Sequence, residues 1–161
     1  MTRHEYNITV KNHANGLYGF ALKFLKNSEN TQDIVQDVFE KLWLNRKKVE
    51  FEKAKSWMFT TAYNGMINFT NKRKRMDYDS EGIPEVASND KNHFESREVV
   101  DRVVNILPPL QKSIILLRDL EGYTYQEIGE ILSISESQVK VYLFRARNKI
   151  KKQLKDNKSL V

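Results

Sequence analysis

Residues 122–152, GYTYQEIGEILSISESQVKVYLFRARNKIKK, place two short helical patterns on either side of a Ser133-Ile134-Ser135 turn. In the first pattern Ile128, Ile131 and Leu132 fall at i, i+3 and i+4, the stripe of a helix packed on one side. Gly129 lies where the two helices must cross closely, which favours a residue without a bulky side chain. Ser135 is a good N-cap, because its hydroxyl can accept from the free amides of the second helix. That helix buries Val139, Leu143, Ala146 and Ile150, spaced 4, 3 and 4. Its other face carries Ser137, Gln138, Lys140, Val141, Phe144, Arg145 and Asn148. Two helices at a steep angle, the second basic, read as a DNA-binding helix-turn-helix. The plainer alternative is a helical hairpin with a solvated basic face. Charge favours DNA: residues 140–158 hold eight Lys/Arg, Arg147 among them, against the single acid Asp156. Phe144, an aromatic on the face that would be wet, suits a base or sugar contact.

Outward from that stretch, the chain is short enough for one domain or two small ones, at 161 residues. Its net charge of +6 is uneven. Residues 1–76 hold 14 basic and 7 acidic groups, 77–93 hold 1 and 5, and 94–161 hold 12 and 9. Two basic lobes on either side of an acidic stretch fit a polyanionic partner touched at two places. The absence of cysteine excludes a disulfide framework and thiolate chemistry. No apolar run approaches the ~18 residues of a membrane span. A soluble, cytoplasmic protein without membrane insertion is expected.

In chain order, residues 6–25 show a helical period through Val10, Ala14, Leu17, Tyr18, Ala21, Leu22 and Leu25. Gly16 and Gly19 weaken that helix by about 1 kcal/mol each relative to Ala, which points to close packing or a local irregularity there. Residues 27–30, NSEN, supply a break and cap candidates. Over 31–46 a buried stripe of Ile34, Val35, Val38, Phe39 and Leu42 faces away from Asp33, Gln36, Asp37 and Glu40. That acidic face suits either a solvated surface near a helix N-terminus or a docking surface for a basic protein.

Residues 45–56 read as a charged loop, and 57–71 return to helical spacing with Met58, Ala62, Met66 and Phe69 on one side. Trp57, Phe59 and Tyr63 interleave with Asn64, Asn68 and Asn71 before the run Lys72-Arg73-Lys74-Arg75. Aromatics that stack, amides that read edges and cations for phosphate are the parts of a single-strand binder. The same aromatics also suit a core. Residues 76–93 lack an apolar period and read as a flexible acidic linker. Two lobes, 1–75 and 94–161, are therefore expected to fold independently. Helices are predicted over 94–106 and 110–120, interrupted by Leu107-Pro108-Pro109 and closed by Gly122. His4, His13 and His93 show no metal-ligand spacing. The expectation is an all-α chain of seven or eight helices, with no metal, no cofactor and no small-molecule substrate.

Three blocks carry a resemblance. TQDIVQDVFEKLW (31–43), SWMFTTAYNGMINFTNKRKR (56–75) and LPPLQKSIILLRDLEGYTYQEIGEILSISESQVKVYLFRARNKIKKQL (107–154) are similar, in order, to regions 2 and 4 of an extracytoplasmic-function sigma factor of the sigma-70 superfamily. Departures occur at Gly129, Lys112, Asn68 and Ser137-Gln138, where the family more often has Ala, Arg, Asp and Gly-Thr.

The resemblance implies recruitment rather than enzymatic chemistry. Asp33, Gln36, Asp37 and Glu40 would dock on the β′ clamp helices of core RNA polymerase, with the β flap as a second contact. Arg46, Lys47, Lys48, Trp57, Asn64, Asn68, Lys72 and Arg73 would capture the melted −10 promoter element. Ser137, Gln138, Lys140, Val141, Phe144, Arg145 and Arg147 would engage the −35 element. An anti-sigma protein is an expected further partner. The competing assignment, a stand-alone regulator of LuxR type, accounts for the helix-turn-helix but not for the first 75 residues.

Overall fold

A computed structural model describes residues 1–79 and 96–159, with side chains placed over 1–76 and 100–156. The described chain is all helical and falls into two regions. The first contains α1 (Arg3–Leu25), α2 (Ser28–Asn45) and α3 (Ala54–Asp79). In the second are α4 (Ser96–Ile106), α5 (Pro109–Ile115), α6 (Tyr125–Leu132) and α7 (Glu136–Ser159).

Local chemistry sets the boundaries. Thr2 and Glu5 form a capping box at the start of α1, each side chain accepting from the other's backbone amide at 3.1 and 2.8 Å. Lys26 closes α1 with φ 58°, and Asn27 at once caps α2 by accepting from the Asn30 amide at 2.9 Å. A single 3-10 turn (Phe51–Lys53) leads into α3. That helix starts three residues earlier than its apolar period indicates and runs on through the basic run to Asp79. The greater part of the expected connector lies outside the described residues.

Pro109 opens α5 at the first helical position, where a missing amide costs nothing. The expected single helix over 110–120 instead widens into a π-helical turn at Leu116–Leu120, with the Glu121 amide bonded to the Leu116 carbonyl at 3.2 Å. The turn leaves Leu116 and Leu117 buried and Leu120 exposed. Gly122 then ends the segment at φ +72°, a conformation suited to glycine.

The apolar stripes converge on one core. Leu17, Phe20, Ala21 and Phe24 of α1 meet Val35, Val38 and Leu42 of α2 and Met58, Phe59, Ala62 and Met66 of α3. The sequence period of α1 omitted Phe20 and Phe24, which are buried because α1 is covered on two sides, by its own region and by the second. Phe59 packs on Phe20 (centroids 5.6 Å apart) and edge-on to Tyr123 of the second region (5.2 Å).

The two helical regions share a continuous core in this structure. Polar contacts line the seam. Lys55 pairs with Glu127 at 2.8 Å and lies over the Tyr123 ring. The Thr60 hydroxyl donates to the Ile131 carbonyl at 2.9 Å. The Lys112 ammonium donates to the Phe24 carbonyl at the end of α1, and burial pulls its pKa down to about 8. Lys23 and Lys26 both reach Asp101, at 3.4 and 3.6 Å. Gly16 makes room for the Glu121 carboxylate: a Cβ there would lie 2.8 Å from Oε2. Close packing, rather than irregularity, is what Gly16 marks.

Within the second region, Thr124 and Glu127 form another capping box at α6, and Ser133 turns the chain at φ 58° toward α7. Gly129 sits under that turn, where a Cβ would come within 2.7 Å of the Ile134 carbonyl oxygen. Because the obstacle is backbone, Gly129→Val is expected to destabilise the protein by about 1–3 kcal/mol, the usual cost of overpacking. A urea unfolding midpoint equal to wild type would contradict this account of the turn.

Candidate polymerase and promoter surfaces

Three faces stand clear of the core. On α2, Asp33, Gln36 and Glu40 are exposed and Asp37 is about half exposed. The buried stripe of Val35, Val38 and Leu42 directs the acids outward. Asp37 pairs with Lys41 one turn on, at 2.9 Å. A surface pair of this kind is worth a few tenths of a kcal/mol, so it leaves Asp37 available to a stronger cation.

The second face joins the turn after α2 to the outer side of α3. The Arg46 guanidinium stacks 3.8 Å above the Trp43 ring and donates to the Trp43 carbonyl, which fixes it half-buried at the turn. Lys47 and Lys48 are exposed beside it. Trp57 is half-buried on the wall of a dimple of about 370 Å³ shared with Asn45, Lys48, Val49, Glu50 and Lys53. Along α3, Asn64, Asn68 and Lys72 recur every four residues on one exposed line, with exposed Arg73 beside it. Phe59 is not part of this surface. It is fully buried, and no base can stack on it.

The third face is the outer side of α7. Ser137, Gln138, Lys140, Val141, Phe144, Arg145 and Arg147 are all exposed, while Val139, Leu143 and Ala146 are buried against α5 and α6. Phe144 is 67% exposed and Val141 45%, unusual for apolar side chains among cations. Arg147 is held by Asp119 at 2.8 Å. Ser135 caps α7 as its sequence position indicates, its hydroxyl accepting from the Gln138 amide at 3.1 Å. The reverse bond, from the Ser135 amide to the Gln138 side-chain oxygen at 2.9 Å, completes a capping box.

The part that Lys55, Lys112, Glu121 and Tyr123 play in the seam was not visible in the sequence. Burial together with Glu121 and Glu127 holds the Tyr123 hydroxyl well above the ordinary phenol range, and burial raises the Glu121 carboxyl. The paired small residues Gly16 and Gly19 were the available signal of a close neighbour on α1. Nothing in their spacing named that neighbour.

A helix-turn-helix joined to a second basic helical region defines a DNA-binding transcription protein, and comparison with known proteins narrows the class. Sigma-70 region 2 matches residues 9–76 and sigma-70 region 4 matches residues 97–150. The ECF RNA polymerase sigma factor SigM of Bacillus subtilis is 27% identical over 142 residues, 85% of this chain and 87% of SigM. SigV of the same organism is 29% identical over 147 residues, 90% of this chain and 88% of SigV. Among solved structures, the sigma factor RpoE of Bartonella quintana, in complex with the anti-sigma factor NepR, superposes with a TM-score of 0.77 at 25% identity, over 93% of this chain and 96% of that one. The chain belongs to the sigma-70 family as an extracytoplasmic-function sigma factor, a protein that directs promoter recognition in transcription initiation. Region 2 accounts for the N-terminal half that a LuxR-type regulator leaves unexplained, and that alternative is not supported. Among the described residues no helix is long and apolar enough to cross a membrane.

Proposed function

We propose that the three faces divide the work of initiation. The acidic face of α2 (Asp33, Gln36, Asp37, Glu40) docks on the β′ clamp helices of core RNA polymerase. The 46–56 turn and the outer line of α3 (Arg46, Lys47, Lys48, Trp57, Asn64, Asn68, Lys72, Arg73) hold the opened −10 element. The outer face of α7 holds the −35 element, Lys140 reaching a base edge and Arg145 a phosphate. The observation that carries this reading is the exposure of all seven α7 residues on one face of a helix-turn-helix, with a second basic surface on α3. Residues 1–75 and 94–161 act as the two promoter-binding units.

An apolar groove of about 550 Å³ between α4, the π turn and α7, lined by Val100, Val104, Leu116, Leu120 and Ile150, is the candidate seat for the β flap. Lys23 and Lys26 of α1 reach its edge, so docking of the two regions and use of this groove are coupled. Because the two promoter elements are separated along the duplex, contact with both requires the seam to open and the connector to extend. An anti-sigma protein is the expected antagonist, as in the RpoE–NepR complex. The activity is recruitment and strand capture, with bases held out of the stack by binding energy alone and no covalent step. The protein acts in the cytoplasm, where its polymerase is.

Asn64 tests the opening role. Its exposed amide can pair with a base edge, and Asn64→Ala is expected to cost about 1–3 kcal/mol of binding to the opened strand. Transcription should fall on duplex promoters and recover on a pre-melted template. Equal defects on both templates would place Asn64 outside strand opening.

A further inference from the structure

The Ser135–Gln138 capping box constrains what the recognition helix can read. Ser135 is the residue before α7 and Gln138 stands in its first turn, exposed, beside Ser137, Val141 and Arg145 around a shallow depression of about 280 Å³. The Gln138 side-chain oxygen accepts from the Ser135 backbone amide at 2.9 Å. A backbone N–H cannot pair with the NH₂ end of the same amide, so chemistry fixes which end faces Ser135. The bond therefore turns the oxygen toward the Ser135 backbone, with one of its two lone pairs used, and turns the NH₂ end with its two donors away from the cap.

This matters because the usual glutamine contact in the major groove is bidentate to adenine. There the side-chain oxygen accepts from N6 while the nitrogen donates to N7. A Gln138 held by its cap has its oxygen turned toward the Ser135 backbone, which disfavours offering oxygen and nitrogen side by side to one base. Cytosine, which offers an N4 donor in that groove, is disfavoured for the same reason. The edge that best suits two outward donors is guanine, with acceptors at both N7 and O6. The first residues of a recognition helix are also the ones placed to contact base edges.

Resting on the promoter-reading role of α7 proposed above, we infer that Gln138 is a specificity-determining residue that serves as helix cap and donor-only reader together, selecting guanine at one position of the −35 element. Gln138→Glu separates the two duties, since a carboxylate still accepts from the Ser135 amide but has no donor. Gln138→Met keeps the length and removes both.

The test uses the full chain with core polymerase and selects bound sequences from a promoter library randomised over the −35 element, alongside thermal melting of each variant. Wild type is expected to prefer guanine at one position by about tenfold or more. Gln138→Glu should melt like wild type yet lose that preference and gain cytosine there, and Gln138→Met should melt lower and show no preference there. Comparing bases within each variant removes the general weakening by the added negative charge. Unchanged selection by Gln138→Glu would reduce Gln138 to a cap and overturn the inference. So would wild-type selection of adenine at the position that Gln138→Met relaxes, which requires the oxygen as well as the NH₂ to face the base. A wild-type holoenzyme that selects no −35 sequence at all would instead count against the promoter-reading role of α7 itself.

Discussion

Asp37→Lys is expected to abolish co-purification with core RNA polymerase while leaving the helical circular-dichroism signal intact. The effect on folding is small because Asp37 is about half exposed and its only described ion pair is with Lys41 on the same helix. Replacing it sets two lysines one turn apart, a repulsion of a few tenths of a kcal/mol, and surface changes of this kind stay within about 0.5 kcal/mol of wild type. The effect on docking is large because the substitution reverses charge between Asp33 and Glu40, the other two acids of the face that Gln36 shares. Like charges brought together at an interface cost several kcal/mol. Retention of the variant on core polymerase at the wild-type level would remove the α2 face from the docking surface.

Phe59→Ala carries the largest expected cost in folding. Its ring is fully buried and touches Phe20 within the first region and Tyr123 of the second. Truncation leaves a cavity at an aromatic that touches both halves of the core, worth about 3–5 kcal/mol. That is a large share of the ~5–15 kcal/mol that holds a domain together. Chemical denaturation should show a midpoint shifted far down, with Tyr123 becoming solvent-accessible in parallel. A midpoint within error of wild type would show that Phe59 does not join the two regions.

The helix-turn-helix was legible almost residue by residue, because every device in it is local. Ile128, Ile131 and Leu132 follow helical spacing, Ser135 is a side-chain cap, and Gly129 lies under a tight turn. Local chemistry also made the α2 acids and the α7 cations readable as outward faces, since a period that buries Val35, Val38 and Leu42, or Val139, Leu143 and Ala146, exposes the residues between.

The seam was not legible. An acidic connector with no apolar period reads as a tether between independent bodies, and composition carries no information on whether those bodies touch. Phe20 and Phe24 lay outside the α1 stripe because one helix face was counted where two are covered. Phe59 read equally well as a base platform or as core, and only its neighbours from α1 and the Tyr123 segment decide between them. Lys112 looks like a surface cation in sequence, yet it is buried against the end of α1.

The measurement that bears most directly on the account is run-off transcription by core polymerase on a randomised promoter library, with and without the purified protein. The account predicts transcripts only when the protein is present, starting downstream of a shared pair of elements. It also predicts tight promoter binding only by the protein–polymerase complex. Equal, sequence-specific DNA binding by the protein alone, with no gain in transcription on adding it to core polymerase, would contradict the account.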